Sequence, residues 1–279
     1  MSPPPEFHDL AEAELLNGES QGSPEGPSSW GNLGDWSAAQ TYPEACRHLA
    51  FRLGQAAKLG PQTQLLDLGF GCGDQISLWT QAFGVEHIHG LNLSRSQTTW
   101  AREKLQAQGL GSIASCLHQG SVDGPWPMTV QPNTILALDC VYHFPSRRRF
   151  LQQAARRLPA GGLLAWTDLI CEAKALQGPR RAVLRGIAAA SHIPAGNLQS
   201  ADQVVKDIAA AGLHKEHWED LSPCVMRPFG EWLRRYRRSA HAPEVPAWRW
   251  WKYQATASML QWLEGSQSMR YLLCVARRP

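Results

Sequence analysis

The chain lacks paired cysteines, long apolar runs and a strong excess of either charge. Its seven cysteines, at 46, 72, 116, 140, 171, 224 and 274, are odd in number and scattered, with no C-x-x-C spacing. Neither a disulfide framework nor a thiolate zinc site is indicated, and a reducing, cytoplasmic compartment is expected. No apolar stretch approaches the ~20 residues that a membrane-spanning helix needs. The N-terminus has no basic region followed by an apolar core, so it does not read as a secretory signal. Lys and Arg total 27 against 24 Asp and Glu, a net charge of +3. That bias is too weak to imply nucleic acid as a partner.

What is present suits one large domain. A chain of 279 residues buries roughly three quarters of its unfolded surface and needs no covalent staple. Residues 1–29 are rich in Pro, Gly, Ser and Glu ("NGESQGSPEGPSS") and read as a disordered tail. Order is expected from "WGNLGDW" onward, through a helix opened by Thr41 and Glu44 at capping-box spacing. Tyr42, Cys46, Leu49, Leu53 and Ala56 form its apolar stripe, and Gly60-Pro61 ends it.

From residue 64 to about 213, strands and helices alternate. "QLLD", "HIHGLN", "SIASCLHQGS", "TILALD" and "LLAWTDLI" read as strands. Helices follow Gly73, Ser94, Ser146 and Ser200. Such alternation predicts parallel pairing and a doubly wound α/β sheet. "HKEHWEDLS" and "MRYLLCVARRP" read as two later strands, and the residues between them are too many for a hairpin loop. That insertion, about 223–267, is expected to form a helical lid together with segment 171–199.

Ligands of open α/β sheets bind outside the carboxyl ends of the strands. The first strand ends in "LLDLGFGCGDQ", an acid at Asp67 followed by Gly69, Gly71 and Gly73. Bare backbone turns tightly and lets a ligand approach closely, and the helix behind it offers free N–H groups. A phosphate cradle uses the same device. Here the phosphate-loop Gly-Lys-Ser/Thr is absent, Asp74 stands where G-x-G-x-x-G needs its last glycine, and Asp67 would repel phosphate. An acid suits a cationic ligand instead. Asn92 lies 25 residues after Asp67 and is placed to meet ribose hydroxyls. S-adenosylmethionine satisfies these demands: amino acid, sulfonium, ribose and adenine, without phosphate.

"LLDLGFGCGDQ", "GLNLSRSQ", "LDCVYHF" and "RRLPAGGLLAWTDL", in that order, resemble the class I S-adenosylmethionine-dependent methyltransferases. The closest flavour is the small-molecule branch of natural-product O- and N-methyltransferases and tocopherol- and sterol-type enzymes. The likeness covers about 30–279, expected to be one methyltransferase domain. It implies a Rossmann-like seven-stranded sheet with one antiparallel strand. It also implies that Gly69, Gly71 and Gly73 surround the methionine part, Asn92 takes the ribose, and Leu93 and Gln97 lie at the adenine. Ser121 and Val122 match the adenine-edge position, where Asp-Ala is usual. Asp139 falls near the transferring methyl, and Trp36 matches an aromatic that closes over the cofactor.

The resemblance places His143 as general base, with Asp168 orienting it or the substrate, in a direct displacement. The acceptor is expected to be a small aromatic or lipophilic molecule, methylated on O, N or S. Tyr142, Trp248, Trp250 and Trp251 are the expected substrate contacts. No metal is expected, since His87-x-His89 and His214-x-x-His217 fall on strand-like segments without a third ligand. Two other readings stay open: methylation of RNA or protein, although the Asn/Asp-Pro-Pro-aromatic motif for nucleobase amines is absent, and a non-catalytic partner protein that binds S-adenosylmethionine. Oligomeric state is not legible.

Overall fold

A computed structural model describes residues 15–20, 27–126 and 131–279. Its regular elements, in chain order, are helix α1 (Tyr42–Ala56), strand β1 (Gln64–Leu68), α2 (Asp74–Phe83), β2 (His87–Asn92), α3 (Arg95–Ala107), the short α4 (Gly111–Ser115), β3 (Leu117–Gln119), β4 (Thr134–Ala137), α5 (Arg147–Arg157), β5 (Leu163–Cys171), α6 (Gly178–Ala190), α7 (Ala201–Ala210), β6 (His214–Asp220), α8 (Ser222–Tyr236), α9 (Ala247–Gly265) and β7 (Met269–Arg277).

The strands form one seven-stranded sheet in the order β3-β2-β1-β4-β5-β7-β6. The first five pair in parallel, and β7 runs antiparallel between β5 and β6. Side chains alternate across the sheet. Leu65, Leu136 and Ala165 join one buried cluster with Leu49, Leu53, Trp79 and Phe229. Their neighbours Leu66, Ile135 and Leu164 join the other, with Phe150, Leu151 and Val204. This period of two lets one sheet be covered by helices on both faces. The strand order reverses between β1 and β4, and that reversal point is where such sheets hold ligands.

The helix starts follow from their caps. Thr41 and Glu44 complete a capping box at α1, and Ser94, Ser146 and Ser200 each accept an N–H from the third residue of the helix they open. One expected strand is mostly not a strand: in "SIASCLHQGS" the first half is α4, and only Leu117–Gln119 pairs. Ile113, Ala114 and Leu117 are the buried residues, a helical spacing that outweighs the β-like composition. The expected tail also needs correction. Leu15, Leu16 and Asn17 are buried, and Ser28 and Ser29 bond to Asn17 and Asp74; residues 1–14 and 21–26 lie outside the described residues. In the expected lid, α8 and α9 approach so closely that a Cβ at Gly230 would sit 2.7 Å from Gln261 Nε2.

Candidate active site

A cavity of about 580 Å³ lies at the carboxyl tips of β1, β2 and β4. Its lining falls into two chemical sets. One comes from the strand tips: Gly69–Cys72, Asp74, Gln75, Asn92, Gln97, Leu138–Cys140, Tyr142 and His143. The other is mainly apolar and includes Leu16, Trp30–Leu33, Tyr42, Ile187, Ile193, Phe229, Trp251, Tyr253, Met259 and Leu260, with Lys252 as its basic side chain. The expected lid helices α6, α8 and α9 thus contribute to the same cavity as the glycine loop.

The three glycines do different work. All have positive φ, where a side chain is strained. At Gly69 a Cβ would sit 2.7 Å from Cys140 Sγ, so bareness there serves packing. Gly73 caps α2, and its Cβ would meet Ala101 Cβ at 3.0 Å. Only at Gly71 would a Cβ meet nothing within 4 Å, leaving bare main chain at the cavity surface. Such a cradle fits a ligand that lies against backbone.

Asp67 sits at the motif position but not in the cavity wall. Its carboxylate is fully buried and accepts hydrogen bonds from Gln75 Nε2 (2.9 Å to each oxygen) and Trp79 Nε1 (2.7 Å). Burial pushes its carboxyl up to about 6, against the pull of those two donors. The expectation that Asp67 itself meets a cationic ligand is corrected: Gln75 lines the cavity, and Asp67 orients Gln75. Asn92 and Gln97 both line the cavity and are joined, Asn92 Nδ2 donating to Gln97 Oε1 at 3.0 Å.

Asp139 stands at φ +55, costly for a non-glycine residue, and hydrogen bonds hold it there. Its carboxylate accepts from the Leu33 N–H (2.7 Å), the Tyr142 hydroxyl (2.8 Å) and the Tyr271 hydroxyl (2.7 Å), while its own N–H donates to Thr167 Oγ1 (2.8 Å). Burial, then the neighbouring Asp139 charge, pushes both tyrosine hydroxyls well above their usual range. His143 follows on the same turn, its ring against Tyr142 and its Nδ1 3.4 Å from the His192 carbonyl. Asn197 ties the turn down by donating to the carbonyls of Tyr142 and Phe144.

Asp168 does not orient His143. It is fully buried against Arg147, with Arg147 Nε 2.7 Å from Oδ2 and Nη2 3.0 Å from Oδ1, and Trp166 Nε1 is a third donor. These three donors, none of them His143, hold it as a buried ion pair with Arg147. Trp36 is likewise outside the lining: it stacks on Trp232 with ring centroids 5.1 Å apart and donates to the Leu33 carbonyl. Leu93, Ser121 and Val122 stand at strand tips but are not lining residues. Leu93 is 72% exposed, Ser121 Oγ accepts the Asp123 N–H, and the Val122 side chain is buried in the far cluster. Of the three expected tryptophans, Trp251 lines the cavity, Trp250 is buried against Tyr236, and Trp248 is exposed outside it. Lining residues not foreseen include Trp30, Tyr42, Gln75, Phe229, Tyr253 and Met259. Gln75 ends the quoted motif, and Tyr42 was on an apolar stripe; neither spacing says which way the side chain turns.

Among the described residues no His, Cys, Asp or Glu cluster could hold a metal. The donor set fits S-adenosylmethionine: bare main chain at Gly71, amides at Gln75, Asn92 and Gln97, and acids at Asp74 and Asp139 that disfavour phosphate. The seven-stranded sheet and this site define a class I S-adenosylmethionine-dependent methyltransferase.

The profile of the mycolic acid cyclopropane synthetase family matches residues 38–261, and the chain belongs to that family. It is 23% identical over 273 residues to erythromycin 3''-O-methyltransferase of Saccharopolyspora erythraea, spanning 95% of this chain and 88% of that one. It is 26% identical to 27-O-demethylrifamycin SV methyltransferase of Amycolatopsis mediterranei, over 90% of this chain and 91% of the relative. Among solved structures, geranyl diphosphate C-methyltransferase of Streptomyces coelicolor A3(2), in complex with S-adenosyl-L-homocysteine, superposes with a TM-score of 0.69 at 16% identity, covering 88% of this chain and 87% of that one.

Proposed function

We propose that the protein methylates a hydroxyl of a small, uncharged, largely apolar molecule, with His143 taking the hydroxyl proton. The cavity wall carries this reading. Ile187, Ile193, Phe229, Tyr253, Met259 and Leu260 line the same cavity as Gly71, Asn92 and Gln97. Its volume, about 580 Å³, and its mostly apolar wall suit a small organic ligand oriented by a few polar groups. The relatives named for O-methylation of erythromycin and of demethylrifamycin support a hydroxyl as the acceptor group.

Several other groups of the lining are poor proton acceptors. Burial pushes the Cys72 thiol up to about 12, and it pushes the Cys140 thiol and the Tyr42 and Tyr142 hydroxyls well above their ordinary values. Each stays protonated near neutrality and cannot accept a proton. Asp139 already accepts three donors, and Asp74 is held by Lys104 at 2.6 Å. An imidazole is the side chain whose ordinary range spans neutral pH. His143 takes the proton, and the Asp139–Tyr142 contact and Asn197 fix the turn that carries it.

Bound S-adenosylmethionine supplies an electrophilic methyl group on a sulfonium. Gly71 main chain and Gln75 would hold its amino-acid part, and Asn92 with Gln97 its ribose and base. The apolar wall excludes water and aligns the acceptor, a contribution of up to roughly 7–11 kcal/mol to such displacements. The test is methyl transfer from labelled cofactor to a panel of apolar alcohols and amines, with wild type and His143→Asn. Turnover of an alcohol should fall ~10²–10⁴-fold in the variant, with S-adenosylhomocysteine affinity within about twofold of wild type. Unchanged turnover removes the base role. Tight cofactor binding without transfer to any of the panel identifies a binding protein instead.

A further inference from the structure

We propose that residues Leu15–Ser20 form a wall of the acceptor cavity, with Leu16 selecting acceptor size and Asn17, Gly18 and Glu19 locking the segment in place. The proposal rests on reading the cavity as the acceptor site. Leu16 is 6% exposed and lines the cavity, although it comes from a stretch whose composition suits a loose tail. It is held from three directions. Asn17 Oδ1 accepts from the Trp30 N–H (3.1 Å) and its Nδ2 donates to the Trp30 carbonyl (2.9 Å). Trp30 is itself a lining residue, so Asn17 couples the segment to the loop over the glycine-rich turn. Glu19 Oε2 accepts from the N–H of Tyr42, the first residue of α1, at 2.9 Å and from Trp232 Nε1 of α8 at 3.2 Å. Trp232 stacks between Tyr42 and Tyr236, with centroids at 5.0 Å and 4.7 Å. The carboxylate therefore pins the segment to the aromatic stack behind the cavity.

Gly18 completes the lock. Its N–H donates to the Tyr236 hydroxyl at 3.1 Å. A Cβ there would lie 2.2 Å from the His241 carbonyl oxygen and 2.4 Å from that hydroxyl. Only glycine lets the segment seat between α8 and the turn that follows it. With Leu16 fixed in its wall, the cavity would accept molecules of limited size at that end. Replacing Leu16 changes that limit without touching Gly71, Asn92 or Gln97.

The test uses the full chain and the uncharged dye 6-propionyl-2-dimethylaminonaphthalene as an apolar probe, titrated with S-adenosylhomocysteine present. Leu16→Trp should weaken dye binding tenfold or more and leave S-adenosylhomocysteine affinity within twofold. Gly18→Val should speed hydrogen exchange at the amides of residues 16–20 at least tenfold, and Glu19→Gln should exchange more slowly than Glu19→Ala because its carbonyl still accepts. Wild-type dye affinity in Leu16→Trp, or unchanged exchange in Gly18→Val, overturns the proposal while the cavity reading stands. If wild type binds S-adenosylhomocysteine but no dye, the acceptor-cavity reading fails and this proposal falls with it.

Discussion

Replacing Asp168 with Asn separates a structural acid from a catalytic one. The Arg147 guanidinium is fully buried, and Asp168 is the carboxylate that meets it, through two contacts of 2.7 Å and 3.0 Å. Asp168→Asn preserves shape but leaves the buried cation without its counter-charge. Breaking a buried pair from one side costs about 3–5 kcal/mol. At roughly 2–4 °C per kcal/mol for domains near this size, the melting temperature should fall by roughly 6–20 °C. The guanidinium also donates to the Asn197 and Leu169 carbonyls and to Gln199 Oε1, which keeps it seated in the folded variant. Turnover of that folded fraction, measured well below its transition, should stay within about tenfold of wild type. The double variant Arg147→Met, Asp168→Leu removes both charges and should recover most of the lost stability. Thermal denaturation followed by circular dichroism, paired with kcat at low temperature, gives both numbers. A variant with wild-type melting temperature and turnover down a hundredfold would refute the assignment and return Asp168 to the catalytic machinery.

Three further outcomes follow from the geometry. Gly71→Ala places a Cβ at the bare cavity surface and should weaken S-adenosylhomocysteine binding at least tenfold by calorimetry; Gly73→Ala, which meets Ala101 instead, should lower the melting temperature and leave affinity within about threefold. Burial lifts the Asp67 carboxyl to about 6, above its unfolded value of 3.8, so its contribution to stability is fully present below that unfolded value and is lost as pH rises through about 6. That difference is worth about 3 kcal/mol, and wild type should gain stability relative to Asp67→Asn when denaturation is repeated at pH 4.5 rather than 7.5. Trp251→Ala should raise the acceptor KM at least fivefold, whereas Trp248→Ala, exposed outside the lining, should leave it unchanged.

The fold was largely legible because its signals are local. Caps at Thr41, Ser94, Ser146 and Ser200, apolar runs of strand length and glycine breaks each act within a few residues, and together they specify the parallel sheet and its antiparallel partner. The site was legible in outline for the same reason: Gly71, Asn92, Gln97, Asp139, Tyr142 and His143 sit next to strand ends, and the sheet brings strand ends together. What failed depends on partners far along the chain. Asp67 turns inward because Trp79 and Gln75 wait there. Asp168 is neutralised by Arg147, on a helix whose arginines all look alike in sequence. Trp36 is drawn to Trp232, 196 residues later. Leu15–Ser20 packs because α1 and α8 offer donors to Glu19, a reason that composition cannot carry.

S-adenosylmethionine is expected to lie in the cavity at the tips of β1 and β2. Soaking crystals with S-adenosylhomocysteine and computing a difference map tests it most directly. Density should run from Gly71 and Gln75 to Asn92 and Gln97. Density at another site, or an empty cavity in crystals of protein that binds the ligand in solution, would contradict it.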